Sequence, residues 1–141
     1  MSFSVFINFD GNCREAVEFY AGVFKSKVVD LMTYDQMPAD PDFIMPEADR
    51  KRIMYASVMI EGCNVMFSDN PPGMPLVKGN NVIPTLSPKS MDEIKRMFDE
   101  LAAGGKVDME LQKTFWSDLY GMVTDKYGII WQFSHDSGKR M

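Results

Sequence analysis

The chain of 141 residues is long enough for one domain with a substantial core and too short for several. Its 45% apolar and 25% charged residues exclude a disordered or collagenous chain, and no apolar run approaches the ~18 residues that a spanning helix needs. A formal charge of −5, with Arg50-Lys51-Arg52 the longest basic run, argues against nucleic acid or an anionic membrane surface as partner.

The start, Met1 to Val5, has no basic stretch leading into apolar residues, so no secretory signal is read and the cytoplasm is the expected location. Phe3 to Phe9 is aromatic and β-branched and ends at Asp10-Gly11, which predicts a strand and a turn. Asn12 to Glu15 fits a helix cap, the Asn side chain accepting from the backbone near Glu15. Ala16, Phe19, Tyr20, Val23 and Phe24 then form one apolar helical stripe. Val28 to Tyr34 predicts a strand, and Met37 to Arg50, with Pro38, Pro41 and Pro46, a long loop. Ile53 to Ile60 and Cys63 to Ser68 read as a hairpin joined at Glu61-Gly62.

Asp69 to Pro75 is the clearest linker, after which the plan begins again. Asn81 to Ser87 predicts a strand in which Pro84 marks an edge or a bulge. Ser90-Met91-Asp92-Glu93 is a capping box ahead of a stripe at Ile94, Met97, Phe98, Leu101 and Ala102. Gly104-Gly105 closes that helix. Strands follow at Val107 to Gln112, Tyr120 to Thr124 and Ile129 to Ser134. Thr114-Phe115-Trp116-Ser117 lies in the first connection and Asp125 to Gly128 in the second.

The two halves repeat. A shift of 78 lays Asn12 on Ser90, Glu15 on Glu93 and each stripe residue on an apolar partner. A shift of 66 lays Glu61 to Ser68 on Tyr127 to Ser134, with Gly, Phe and Ser identical. An insertion about the length of the loop between Met37 and Arg50 accounts for the difference. Two βαβββ modules, about 1–69 and 80–141 with a linker at about 70–79, predict a single α+β domain with a concave sheet cleft.

The run Phe9-Asp10-Gly11-Asn12-Cys13-Arg14-Glu15-Ala16 followed by Phe19-Tyr20, with Gly105-Lys106-Val107, Thr114-Phe115-Trp116 and Thr124 to Trp131, carries a more specific likeness. It resembles the PhnB-like branch of the vicinal oxygen chelate superfamily, which includes glyoxalase I, bleomycin- and fosfomycin-resistance proteins and extradiol dioxygenases. The resemblance implies a divalent metal held on the concave sheet by His and Glu from the first and last strand of each module, and a homodimer. Mapped onto this chain, the metal positions fall on Val5, Met66, Ile83 and Gln132, and the position where many relatives of this branch carry His holds Tyr55. A transition metal wants imidazole, carboxylate or thiolate, so no metal ligand and no cofactor is assigned.

Strand alternation gives Ile130, Gln132 and Ser134 one face and Asn64, Met66 and Ser68 another, both turned to the cleft, with Val5, Ile7, Phe9, Ile83 and Thr85 extending it. Cys63, Val65, Phe67, Ile129, Trp131 and Phe133 belong to the helix-packed side. An apolar wall with a few amide and hydroxyl groups suits an organic ligand. The candidate ligand-binding residues are Gln132, Met66, Tyr55, Trp116, Ser68 and Thr85; Tyr55 and Trp116 serve either as aromatic walls or only as packing. The single histidine, His135, precedes Asp136 but is read as an exposed terminal residue rather than a catalytic pair. Cys13 and Cys63 are read as buried.

The expected function is metal-independent binding of a small organic molecule. Two alternatives stay open: a metal-dependent lyase, dioxygenase or transferase of the same superfamily with its ligands relocated, and a structural or partner-binding dimer.

Overall fold

The computed structural model describes residues 3–38, 42 and 44–138; Met1 and Ser2 of the N-terminal segment and Pro41 of the predicted loop lie outside them. The chain divides into two compact units, Met1–Val77 and Lys78–Met141.

The first unit runs β1 (Phe6–Phe9), α1 (Cys13–Val23), β2 (Val28–Thr33), β3 (Ile53–Ile60) and β4 (Cys63–Asp69), in a sheet ordered β1-β4-β3-β2. A short 3-10 turn at Tyr34–Gln36 follows β2 and takes up the last residue of the predicted strand, and a second at Glu47–Asp49 interrupts the predicted loop before β3. The β3–β4 hairpin turns at Glu61 and Gly62, both with positive φ, the tight mirror-image geometry that matches strand twist. One face of this sheet is covered by α1, whose Ala16, Val17, Tyr20 and Val23 are buried. Tyr20 stacks on Phe67 at 5.5 Å, and Phe9 lies 6.3 Å from the same Phe67 ring.

That packing corrects the expected direction of β1. Phe9 is in the core against the helix, so by alternation Val5 and Ile7 share its side. The face turned away from α1 receives Phe6 and Asn8, which pair in register with Met66 and Ser68. The cause is a one-residue difference between the halves. Helix matches helix at a shift of 78, whereas β1 matches its counterpart at 79, Phe6 against Thr85, each facing its partner strand at Met66 or Gln132. In a strand, an offset of one exchanges the two faces.

The predicted Asn12 cap is also corrected, since that side chain makes no capping bond. The start of α1 is satisfied by Asp69 at the end of β4. Its Oδ1 accepts from Gly11 N at 2.8 Å and Cys13 N at 3.0 Å, and its Oδ2 from Ile53 N at 2.9 Å. A carboxylate there also meets the positive end of the helix dipole. Asp69 thereby ties helix, last strand and the start of β3 together.

The second unit runs β5 (Thr85–Leu86), α2 (Met91–Ala102), β6 (Lys106–Gln112), β7 (Tyr120–Thr124) and β8 (Ile130–Ser134), in the order β5-β8-β7-β6. The strand expected over Asn81 to Ser87 is far shorter. Pro84 cannot donate, but its carbonyl still accepts from Gln132 N at 3.0 Å. Ser90 caps α2 as predicted, its hydroxyl accepting from Glu93 N at 3.2 Å, while the Glu93 carboxylate pairs with Arg96 at 2.7 Å. Ile94, Met97, Phe98 and Leu101 are buried, and Phe98 meets Phe133 edge-on at 6.1 Å. In the β7–β8 turn the buried Asp125 accepts from Tyr127 N, Ile129 N and Trp131 Nε1 at 2.8–3.1 Å. Among the described residues, no helix is long and apolar enough to cross a membrane.

Candidate functional site

On the sheet face of the second unit turned away from α2, register sets Gln132 between Thr85 on β5 and Met122 on β7. Three side chains there form a continuous hydrogen-bonded row. Tyr120 Oη lies 2.6 Å from Gln132 Oε1, Gln132 Nε2 lies 3.3 Å from Thr85 Oγ1, and Thr85 Oγ1 donates to the Ile83 carbonyl at 3.2 Å. The Trp116 ring stands edge-on to Tyr120 at 5.3 Å and to Phe115 at 4.8 Å. Trp116 is 37% exposed and Phe115 96% exposed, so this row borders an aromatic surface open to solvent.

The loop that presents Trp116 is fastened from below. Thr114 and Ser117 close a tight turn through Thr114 N to Ser117 O (2.9 Å) and Ser117 N to Thr114 Oγ1 (3.1 Å). The buried Ser117 hydroxyl donates to Leu119 O at 3.0 Å and accepts from His135 N at 3.1 Å. The indole is therefore held against a braced turn rather than on a loose loop.

Three of the six predicted residues, Gln132, Thr85 and Trp116, thus come together in the second unit, with Tyr120 added. Tyr120 was missed because no motif marks it. The available signal was strand pairing, since a hairpin across Asp125 to Gly128 brings Tyr120 and Met122 to the Gln132 face.

The other three, Met66, Ser68 and Tyr55, lie on the first sheet. Met66 faces Ser57 across β3 and β4, and Tyr55 shares that side of β3 by alternation. Ser68 is only 6% exposed, and its hydroxyl is engaged internally, 3.1 Å from Asn8 Oδ1 and 3.3 Å from the Asp69 carbonyl. Ser57 Oγ similarly donates to Asp30 Oδ2 at 3.3 Å.

His135 is not the exposed terminal residue expected. Its side chain is 11% exposed, and its Nε2 lies 2.8 Å from the Lys89 carbonyl, an acceptor only, so that nitrogen carries the proton. Nδ1 faces Asp118 at 3.8 Å, not Asp136, whose carboxylate accepts from Gly138 N. The ring ties the end of β8 to the loop before α2. By the repeat shifts, Asp69 and Gly11 are the matching pair in the first unit.

Cys13 is fully buried; burial first and the nearby Asp69 carboxylate second push its thiol far above the ordinary range. It is no nucleophile. Cys63 is exposed, contrary to expectation, because it follows the hairpin turn directly and lies three residues before β1 begins to pair with β4, which leaves that flank of β4 open.

The divalent metal implied by the superfamily resemblance does not fit this donor set. The positions on β1, β4, β5 and β8 that face away from the helices carry Phe6, Asn8, Met66, Ser68, Thr85 and Gln132, which offer neither imidazole nor carboxylate. Asp69, a carboxylate on β4, spends its oxygens on three backbone N–H groups.

Comparison with known proteins follows the same lines. Residues 1–134 match the family described as 3-demethylubiquinone-9 3-methyltransferase. The chain is 33% identical to Protein YjdN of Escherichia coli (strain K12), covering 95% of each. Among solved structures it is similar to protein PA1353 from Pseudomonas aeruginosa, with 30% identity, a TM-score of 0.83 and 96% of this chain and 97% of that one covered. The PhnB protein from Bacillus cereus, a putative 3-demethylubiquinone-9 3-methyltransferase, shares the fold at 24% identity and a TM-score of 0.69, over 96% and 99% of the two chains. So does a glyoxylase/bleomycin resistance protein/dioxygenase domain from Frankia sp. EAN1pec, at 12% identity and a TM-score of 0.67, over 96% and 90%. With two four-stranded sheets, each backed by one helix, and a family match over nearly its whole length, the chain belongs to the PhnB-like (3-demethylubiquinone-9 3-methyltransferase-like) family and has the fold of its glyoxalase/bleomycin-resistance neighbours.

Proposed function

We propose that this chain is a metal-independent binding protein for a small organic molecule, received at Gln132 on the uncovered face of the second sheet. The observation that carries the reading is the row Tyr120–Gln132–Thr85 beside the partly exposed Trp116. It combines oriented amide and hydroxyl groups with an aromatic wall, the usual make-up of an organic-ligand site. Met66, Tyr55 and Ser68 on the first sheet are the corresponding candidates there. The resemblance adds a cytoplasmic homodimer as the working assembly, which sedimentation at several concentrations tests.

The direct experiment is a thermal-shift screen against metabolites and antibiotics, repeated on Gln132→Ala. A ligand present at 100 times its dissociation constant adds about 2.7 kcal/mol of stability. The substitution should abolish that gain while the unliganded domain still unfolds cooperatively. Unchanged affinity in the variant overturns the site. Stoichiometric transition metal in protein purified without chelators, together with metal-dependent turnover, overturns metal independence and favours a superfamily enzyme.

A further inference from the structure

The hydrogen-bond row at Gln132 has a fixed polarity. Thr85 Oγ1 lies 3.2 Å from the Ile83 carbonyl, which can only accept, so the threonine proton is committed there. Thr85 therefore meets the Gln132 amide as an acceptor, and the amide must turn its NH2 toward it, at 3.3 Å. A flipped amide would set carbonyl oxygen against a threonine oxygen with no proton to share. Gln132 Oε1 is left for Tyr120, whose hydroxyl donates across 2.6 Å. Each proton in the row is thereby assigned from a backbone carbonyl outward.

What remains unused is one N–H of the Gln132 amide and the lone pairs of the Tyr120 oxygen, neither with a partner among the described residues. They belong to hydrogen-bonded neighbours, one donor and one acceptor, in a row that carries no formal charge, with the Trp116 ring next to Tyr120. We propose that the ligand is an uncharged, ring-borne primary or secondary amide, or a lactam. Its carbonyl accepts from Gln132 Nε2, its N–H donates to Tyr120 Oη, and its ring rests against Trp116. This rests on the binding function proposed above and adds the class of ligand. A carboxylate of the same shape brings two acceptors and no donor, setting an anionic oxygen against the Tyr120 oxygen. A tertiary amide lacks the N–H altogether.

Three probes separate these cases: benzamide, benzoate and N,N-dimethylbenzamide, titrated into the protein while the Gln132 side-chain and Trp116 indole N–H resonances are followed by NMR, the indole serving for the variant that lacks Gln132. Benzamide should bind about tenfold more tightly than either of the others, the worth of one neutral hydrogen bond. Tyr120→Phe should bring benzamide down to the level of the dimethyl compound and leave the latter's affinity unchanged. Gln132→Glu, which removes the donor, gives the same loss for benzamide should the first variant not fold. Benzoate or dimethylbenzamide binding within about twofold of benzamide, or benzamide indifferent to both substitutions, overturns the ligand class. If none of the three moves Gln132 while a compound from the thermal-shift screen does, the ligand class falls and the binding function stands. If no compound from either set moves it, the binding function falls and the ligand class with it.

Discussion

Replacing Asp69 by Asn changes one oxygen to nitrogen at the best-connected side chain of the first unit. The carboxylate accepts three backbone N–H groups over 2.8–3.0 Å and is 1% exposed. Bonds to an ionised acceptor contribute roughly 1.5–3 kcal/mol each, about twice the neutral value. If the remaining oxygen stays on Gly11 and Cys13, both of those bonds fall to neutral strength, and the new NH2 abuts the Ile53 N–H, a buried donor left unsatisfied at a cost of about 1–3 kcal/mol. The lower cost of burying an amide offsets part of this. The expected net loss is about 3 kcal/mol, a large share of the roughly 5–15 kcal/mol that holds a domain together. Urea unfolding followed by circular dichroism measures it. Both tryptophans, Trp116 and Trp131, lie in the second unit, so their fluorescence shows in the same experiment whether that unit unfolds with the first. Asp10→Asn is the control. Its carboxylate is 66% exposed and pairs with Arg52, so its loss should stay below about 1 kcal/mol. An Asp69→Asn loss no larger than that of the control refutes the reasoning.

Other expected outcomes follow from the same contacts. In the native protein a thiol reagent should modify Cys63 rapidly and Cys13 only at the rate of unfolding; equal rates would contradict the burial of Cys13. Because the folded thiol of Cys13 is pushed up by burial, its contribution to stability is complete below a thiol's ordinary value of about 8.5 and is lost as pH rises above it. The slope is about 1.4 kcal/mol per pH unit, and Cys13→Ala should flatten it. Gly105→Ala should cost about 3 kcal/mol, since a Cβ there would overlap the Thr124 carbonyl oxygen, whereas Gly22→Ala meets nothing within 4 Å and should gain about 0.5–1 kcal/mol. Paired melting curves decide both. His135→Ala should lower the melting temperature more than Asp136→Ala, because only the histidine side chain clips the Lys89 carbonyl; the reverse order counts against the clip.

Both helices were legible because their information is local. The stripe that buries Ile94, Met97, Phe98 and Leu101 and the Ser90 cap need no knowledge of distant residues. Gln132 and Thr85 were legible through period-two alternation once their strands were matched. What escaped depends on long-range partners. Asp69 acts on Gly11, Cys13 and Ile53, 58, 56 and 16 residues away, and nothing near it in the chain announces that. His135 reads as a tail residue until β8 is laid beside the loop before α2. The reversal of Val5, Ile7 and Phe9 had a subtler source. The repeat was right for the helices, but its shift does not hold in the strand before them, and one residue suffices to exchange faces.

The matched positions of Asp69 and His135 have a consequence for how the two halves have diverged. Each half locks its last strand to the loop that opens its helix, but one lock is a carboxylate gathering backbone N–H groups and the other an imidazole reaching a carbonyl. A duplicated joint secured by acceptors in one copy and by a donor in the other has no common key. A substitution that opens one copy has no counterpart able to open the other, so two halves of the same architecture are held by opposite hydrogen-bond chemistry at the same joint.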